Sequence, residues 1–479
     1  MLRRPRAPRS SPPLAALGLL GASVLAAAPR AQETAPLLVH EWGTFTCLLD
    51  DDGAVIAGVN TEDEPLPDFV HRPLRDRMIN AGLLAAHDLA PVFFQGAPAC
   101  HPQVTMRLET PVLYFHVADD TPPFSIDVEV AWRGGWLAEF FPRGEAVLPG
   151  MEVGPLGDLD GERSGTLAWK GVRVGGERSA TPPDTDAPVW LAPRRVAAAD
   201  LEVGGEAERF LFYRGVGNVE PPVTIVRGAD RKTLRLRERR DPRLSHAATS
   251  TGPGWLLAVD RERGCAFREL APLPMGRDGD GTAAEARAGF DATEFSPANL
   301  DRLRTLMRTA LVEDGLFADE ADALLDTWRV SYFQSPGLRV FYLLPQAWTD
   351  AVMPLTLSRE ARIERVMVAR IELVDDLQRG RLERLRRGPA SDGAWFHTLT
   401  MELARDDPKA FAALWGELIA RPGALLEYAA RPGSRLVLPE DYRAWLELGR
   451  FRQALVLEEL RRRPTEALGA FATAYGLAR

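Results

Sequence analysis

The sequence predicts an α+β fold, with a β-sandwich-like N-terminal region, a mixed α/β middle and a helical C-terminal region. From residue 103 to residue 270, short runs of β-branched and aromatic residues recur between glycines and prolines, of which the chain has 41 and 38. Short strands between turn residues are typical of a sandwich or a barrel. After Ser296 the apolar residues return at helical spacing, and after residue 376 every periodic segment is helical.

The strand predictions depend on alternation and on turn residues. In Phe124–Trp132 every second residue is apolar and the residues between are polar, which is the pattern of a half-buried strand. Leu37–Leu49 reads as the first strand and ends at the turn Asp50–Gly53. A short helix is predicted for 74–87 and a surface insertion for 175–206. Further strands are predicted at 111–117, 136–141, 166–174, 209–213, 223–226, 233–237, 255–259, 338–344 and 363–374.

The helical predictions begin at Ser296, a good N-cap residue followed by Pro297. Leucines and alanines then follow at helical spacing as far as Gly315, which is expected to end the helix. A second helix is predicted for 319–328. In the C-terminal region, helices are predicted at 376–387, 393–405, 408–420, 440–448 and 451–463.

These patterns divide the chain into five parts. Residues 1–31 are interpreted as a signal peptide, 36–271 as a β-rich domain and 272–295 as a linker. Residues 296–375 form a mixed segment that we expect to pack on the β-rich domain, and 376–479 a helical domain.

The N-terminal segment has the features of an export signal. Four of its first nine residues are arginines, and an apolar stretch from Leu14 to Ala28 leads into small residues. That stretch is short for a membrane helix, so we expect cleavage and a periplasmic or extracellular protein with no membrane span. No cysteine follows closely enough for a lipoprotein anchor. Twin-arginine export and an uncleaved anchor are the open alternatives.

Charge and cysteine content exclude some functions. Cleavage would remove five arginines and no acidic residue, which changes the net charge from −9 to −14. So acidic a chain lacks the basic face that nucleic-acid binding requires. The three cysteines are Cys47, Cys100 and Cys265, and a Cys100–Cys265 disulfide is one option in an oxidising compartment.

Several stretches resemble an uncharacterised family of exported bacterial proteins, mainly from planctomycetes and myxobacteria. The matching stretches are Leu38–Thr46, with its His-Glu-Trp-Gly-Thr-Phe-Thr motif, Arg107–Phe115, Phe212–Asn218, Leu325–Arg329 and Gly337–Pro345. The resemblance implies export and a bacterial source, and it implies no activity. Cys47 stands where a small hydroxyl residue is expected, which argues against a role for that thiol.

The motif contains a histidine and a glutamate, which act together in many active sites, but strand geometry separates the two side chains. If 38–46 is a strand, His40 and Glu41 point to opposite faces and are poorly placed to act as one pair. We expect His40 to pack beside Trp42 and Glu41 to meet an arginine, because a buried charge needs a partner. The arginine candidates are Arg107, Arg214 and Arg339.

No metal or other cofactor is predicted. A metal site would need ligands from separate segments, such as His40 with His71, His101 or His116, and none of these has close ligand spacing. The chain also has no Gly-x-Ser-x-Gly elbow and no glycine-rich phosphate loop.

Two sets of residues are the candidates for function. Glycoside cleavage requires only that two carboxylates meet in space. The catalytic candidates on that basis are His40, Glu41, Glu109 and Asp326. Aromatic residues flanked by carboxylates and arginines, as in Asp326–Asp350, suit sugar stacking, and the favoured alternative is that these aromatics belong to the core. The binding candidates are Trp42, Arg214, Trp328, Arg329, Arg339 and Trp348.

The sequence therefore favours a non-catalytic binding or structural module of the periplasm or cell envelope, with a glycan or another envelope component as its partner. The alternative is an extracytoplasmic hydrolase that acts on glycans through carboxylates near His40 and Glu41. Neither the substrate nor the oligomeric state follows from the sequence.

Overall fold

A computed structural model describes residues 37–61, 66–80, 93–94, 97–152, 156–239, 249–260, 262–275, 284–391, 395, 422–434 and 437–477. Its strands are β1 (Leu38–Leu49), β2 (Phe93–Phe94), β3 (Ala97–Pro98), β4 (Met106–His116), β5 (Phe124–Arg133), β6 (Gly135–Phe141), β7 (Glu145–Val147), β8 (Ser164–Val174), β9 (Leu201–Val203), β10 (Glu206–Glu208), β11 (Leu211–Gly217), β12 (Val223–Arg227), β13 (Thr233–Glu238), β14 (Thr249–Ser250), β15 (Gly254–Asp260), β16 (Gly264–Leu270), β17 (Pro274–Met275), β18 (Ala284–Arg287), β19 (Gly337–Leu344), β20 (Leu355–Leu357) and β21 (Arg362–Leu373). Its α-helices are α1 (Pro73–Asn80), α2 (Pro188–Arg194), α3 (Ala298–Glu313), α4 (Ala318–Thr327), α5 (Arg329–Phe333), α6 (Gln346–Val352), α7 (Asp376–Arg387), α8 (Pro422–Ala430), α9 (Glu440–Glu447), α10 (Arg452–Arg462) and α11 (Glu466–Ala474).

The centre of the fold is an eight-stranded sheet in the order β16-β15-β19-β21-β1-β4-β11-β6. Strand β1 pairs with β4 in antiparallel and with β21 in parallel orientation. Among the described strands, β1 and β21 form the only parallel pair. Because β1 has a neighbour on each side and a layer on each face, its residues from Val39 to Leu49 are buried. Strands from the predicted β-rich domain and from the mixed segment thus lie in one sheet.

A second, antiparallel sheet packs on one face of the central sheet. Its order is β10-β9-β8-β5-β20, with β7 beside β8. In β5 the residues Ile126, Val128, Val130 and Trp132 are buried while Ser125 and Glu129 are exposed, which confirms the predicted alternation. Phe45 of β1 and Trp132 of β5 meet edge to face across the two sheets, with ring centroids 6.1 Å apart. This face is the predicted sandwich.

Helices α3, α4 and α5 cover the opposite face of the central sheet. Leu303, Met307, Ala310 and Leu311 form the buried side of α3, at the helical spacing that the sequence showed. They share one apolar cluster with Trp42 of β1. The central sheet therefore lies between a helical layer and the second sheet.

The C-terminal helices α7, α9, α10 and α11 share a third apolar cluster with residues of the central sheet, among them Leu48 and Trp136. Polar contacts add to this packing. Arg450 donates to Glu109 over 3.1 Å, and its carbonyl accepts a hydrogen bond from Thr61. These helices, with the sheets before them, confirm the α+β class.

Most predicted elements are confirmed within one to three residues, and α7 spans the predicted 376–387. One prediction is wrong: 175–206 is not only a surface insertion, because it contains α2, and Trp190 of α2 is buried. Among the elements that the sequence did not predict separately are β16, β20, α6, α8 and α11. Residues 1–31, 81–87, 393–405 and 408–420 lie outside the described part of the chain.

Two further predictions concern cysteines and membrane helices. Cys47 and Cys265 are buried free thiols, so the Cys100–Cys265 disulfide is not formed. Across the described residues, no helix combines the length and the apolar content that a membrane crossing requires.

Candidate functional site

His40 and Glu41 lie on opposite faces of β1, as strand alternation predicted. His40 faces the helical layer and contacts Glu320 of α4. Glu41 faces the second sheet and contacts Arg365 and Tyr213. The two motif residues therefore belong to two separate clusters.

Glu41 forms an ion pair with Arg365, its neighbour in the parallel register between β1 and β21. Both side chains are completely buried. The hydroxyl of Tyr213 donates to the other oxygen of Glu41. Burial and the charge of Glu41 raise the pKa of Tyr213 well above its ordinary value, so this hydroxyl keeps its proton.

The prediction of an arginine partner for Glu41 is confirmed, but all three candidates for that partner are wrong. Arg107 pairs with Glu109, Arg214 with Glu139 and Arg339 with Glu372. The partner is Arg365, because β21 lies beside β1 although it follows β1 by more than 300 residues.

A cleft of about 200 Å³ opens beside this ion pair. Its lining residues are Gln346, Asp350, Pro354, Leu355, Ile363 and Arg365. Arg365 donates from Nη1 to Asp350 over 2.9 Å and to the carbonyl of Met353 over 2.6 Å. Its Nη2 is buried without a hydrogen-bond partner in the described structure.

The cleft also contains groups that face solvent. The Asp350 side chain is about half exposed, at 49%. The side-chain oxygen of Gln346 accepts a hydrogen bond from the backbone N–H of Arg365, and its side-chain NH2 donates to the backbone carbonyl of Ile363. The cleft therefore combines a carboxylate, an amide and a guanidinium with three apolar side chains.

On the other face of β1, Glu320 lies between two histidines. His40 Nδ1 is 2.6 Å from one carboxylate oxygen, and His116 Nε2 of β4 is 3.1 Å from the other. The backbone N–H of Phe317 donates to Glu320 over 2.7 Å, and the Phe317 ring lies 4.7 Å from each imidazole. Glu320 is completely buried.

Burial alone would raise the pKa of Glu320, but hydrogen bonds from His116, His40 and the Phe317 N–H outweigh it and hold this pKa below its usual value. One potential ligand atom from each of His40, His116 and Glu320 lies within 4.8 Å of the others, so these three residues could hold a metal ion.

Of the three histidines that the sequence offered as metal-ligand partners for His40, only His116 lies beside it in the structure. His71 instead contacts Glu206 over 2.8 Å, and His101 packs edge-on against Trp136. The sequence missed Glu320, which is 280 residues from His40. Its position in the first turn of a predicted helix was the available signal, since an acidic residue there commonly caps the helix.

Glu109 belongs to a buried network of charges at the end of the sheet that faces the C-terminal helices. Its carboxylate contacts Arg107 and Arg450, and Arg370 lies 3.9 Å away. Arg370 also pairs with Glu372. Glu109 thus holds strands and C-terminal helices together.

The second half of that network is Arg339 with Glu372. Arg339 donates from Nη1 to the carbonyls of Ser331 and Tyr332 in α5, and its Nε lies 3.0 Å from Glu372. Burial, together with the charge of the neighbouring Arg370, lowers the pKa of Arg339 to about 10 against the attraction of Glu372. Arg339 therefore fixes the end of α5 against β19.

The remaining candidates lie apart from both clusters. Asp326 is partly exposed and pairs with Arg195 and Arg304, which links the helical layer to the segment after α2. Trp328 is buried in the helical layer, and Arg329 next to it is exposed.

Trp42 and Trp348 are fully buried. Trp348 packs edge-on against Phe45, with ring centroids 5.1 Å apart. The four catalytic candidates therefore do not meet in one cleft. All three tryptophans among the binding candidates are part of the core.

Comparisons with known proteins add little. No family model matches the chain, and no curated protein sequence matches it. Among solved structures, one match is the Mu homology domain of Fcho1 from Danio rerio, solved with a bound Eps15 peptide. It is 9% identical, with 72% of this chain and 97% of that chain covered and a TM-score of 0.25. A TM-score this low supports no argument about fold or function.

Proposed function

We propose that the protein is an exported, non-catalytic binding module of the periplasm or cell envelope, and that the cleft beside Arg365 is its ligand site. Arg365 carries this proposal. It is a completely buried arginine that lines an open cleft and keeps one donor, Nη2, without a partner in the described structure. A buried donor without a partner is costly, and a ligand oxygen that reaches Nη2 through a shift of the lining side chains would satisfy it.

The pairing of the candidate carboxylates supports a non-catalytic role. Glu41 and Glu109 are both buried and bound to arginines. A general acid in a glycosidase needs a raised pKa and access to substrate. Burial of both side chains acts against the second requirement.

The composition of the cleft supports a small polyhydroxylated ligand such as one sugar residue of a glycan. A carboxylate, an amide and a guanidinium offer acceptors and donors for hydroxyl groups, while Leu355, Ile363 and Pro354 offer an apolar surface for a sugar ring. The volume of about 200 Å³ is below the roughly 300–1,000 Å³ of sites for drug-sized ligands, which suits a single residue.

A glycan-binding screen with a matched pair of variants tests this function. We expect the purified mature protein to retain envelope glycans, Asp350→Ala to lose this binding, and Asp322→Ala to keep it. Asp322 is also a half-exposed carboxylate paired with an arginine, but it lies on α4. Failure of the unmodified protein to bind any envelope glycan would refute the proposal, and release of new reducing ends would support the hydrolase instead.

Export is tested separately by fractionating cells that express the full chain. The mature protein should be found outside the cytoplasm, with an N-terminus between residues 28 and 32 by mass spectrometry. An intact N-terminus in the cytoplasmic fraction would contradict export and leave the cleft proposal standing.

A further inference from the structure

The charge balance around Glu320 differs from that of the other buried glutamates. Seven glutamates are buried in the described part of the chain. Six of them have an arginine nitrogen within hydrogen-bonding distance, namely Glu41, Glu109, Glu139, Glu208, Glu372 and Glu459. Among the described residues, Glu320 has His40 and His116 as its side-chain partners. A buried carboxylate needs positive charge beside it, which arginine supplies at the other six glutamates and which a cation between the two histidines would supply at Glu320.

The arrangement of the three residues suits a cation between them. His40 lies on β1 and His116 on β4, on the same face of neighbouring strands, while Glu320 reaches them from the first turn of α4. Ligands about 2.1 Å from a tetrahedral ion lie about 3.4 Å apart. One potential ligand atom from each residue lies within 4.8 Å of the other two. Glu320 also presents one oxygen to each histidine, 2.6 Å from His40 Nδ1 and 3.1 Å from His116 Nε2, so small side-chain movements would admit an ion.

The surroundings would hold the ligands in place. The Phe317 N–H fixes one oxygen of Glu320, and the Phe317 ring packs on both imidazoles. Such outer contacts orient metal ligands and raise affinity. The His116 side chain is 11% exposed, so the cluster lies close to the surface at that point.

We propose that His40, His116 and Glu320 form a binding site for one divalent transition-metal ion, with zinc as the best match. Two imidazoles and one carboxylate are a common zinc ligand set, and they leave a fourth position for water or another ligand. Imidazole ligands disfavour Mg²⁺ and Ca²⁺, which prefer oxygen. This site is on the opposite face of β1 from the cleft, so the two proposals are independent.

Zinc binding to metal-stripped protein tests the site. We expect the unmodified protein to bind one zinc per chain, with a rise in melting temperature, and Mg²⁺ or Ca²⁺ to give no rise. His116→Ala should weaken zinc binding by at least about 100-fold, since even changes to outer contacts cost roughly 10–100-fold.

The matched control is His71→Ala, because His71 also contacts a glutamate, Glu206, but the described residues place no third potential ligand with this pair. It should bind zinc as the unmodified protein does. Equal weakening in both variants, or none in either, would place the ion elsewhere and overturn the assignment.

A second measurement needs no variant and therefore does not depend on folding. Cobalt(II) added to the unmodified, metal-stripped protein should give visible absorption bands of a nitrogen- and oxygen-ligated ion, and one equivalent of zinc should remove them. If the unmodified protein binds neither zinc nor cobalt, the metal site does not exist.

Discussion

Glu41 and Arg365 occupy the same position in neighbouring parallel strands, and their side chains form a completely buried ion pair. Removing one charge would leave the other buried without compensation. We expect Glu41→Gln to lower the free energy of unfolding by about 3–5 kcal/mol, measured by urea denaturation.

The control for this change is Glu285→Gln, which breaks a cross-strand pair with Arg235 that is more than half exposed. Solvent screens such pairs, so the loss should stay below about 1 kcal/mol. Similar losses in the two variants would mean that the Glu41 pair is not a buried anchor.

Gly215 is expected to tolerate no side chain. A Cβ added there would lie 1.8 Å from the carbonyl oxygen of Trp136 in the neighbouring strand, so the backbone would have to move. Gly215→Ala should destabilise the protein by about 3 kcal/mol. By contrast, Gly469→Ala in α11 meets open space and should stabilise it by about 0.5–1 kcal/mol. Thermal melts of both variants check the pair, and a stable Gly215→Ala would contradict the packing of β11 on β6.

Arg450 is expected to anchor the C-terminal helices. In Arg450→Ala, Glu109 keeps Arg107 and Arg370 nearby, so we expect a loss of only about 1–2 kcal/mol. Proteolysis should then cut the C-terminal helices sooner than in the unmodified protein. Arg461→Ala removes an arginine that is 71% exposed, and its digestion pattern should not change. Identical patterns for all three proteins would argue against this anchor.

Asp314 should make stability depend on pH. Asp314 is exposed overall, but desolvation of its carboxyl by the surrounding protein and the nearby Glu364 raise its pKa from 3.8 to about 6. The folded state then favours the protonated form, so the stabilising contribution is complete below pH 3.8 and is lost as the pH rises through about 6. Asp314→Asn should therefore be more stable than the unmodified protein at pH 8 and gain nothing at pH 4.

The size of that gain is limited because Asp314 lies at the surface, where solvent screens its charge. We expect at most about 1 kcal/mol, measured by urea denaturation at both pH values. Glu313→Gln changes the adjacent exposed acid and is the control. An equal gain at pH 4 and pH 8 would show that the Asp314 charge is not responsible.

Much of the secondary structure was predictable because it depends on local patterns. The alternation in β5, the leucine spacing in α3 and the capping box of α7 at Asp375 are each set by neighbouring residues. Alternation also separated His40 from Glu41 correctly. These predictions needed no knowledge of which strands are neighbours.

The partners of the motif residues were not predictable in the same way. Arg365 and Glu320 meet β1 only because of strand order and the position of α4, which no local pattern specifies. The candidate arginines came from the stretches that carry the family resemblance. In the structure, Arg107, Arg214 and Arg339 bind other glutamates. Aromatic residues gave a similar difficulty, because Trp42 and Trp348 look alike in sequence whether they bind a sugar or fill a core.

The pairing of β1 with β21 has a consequence for how the chain reaches its folded state. Strand β1 is the first strand of the described fold, and its neighbour β21 is the last strand of the central sheet in sequence. The paired residues Glu41 and Arg365 are 324 positions apart. Contacts so distant in sequence form slowly, because a long loop must close before they stabilise anything. During synthesis from the N-terminus, β1 and its buried Glu41 must therefore remain unpaired with β21 until residue 373 has been made. Folding should begin elsewhere, in local hairpins such as β15–β16, and insertion of β21 beside β1 should be a late step that completes the core.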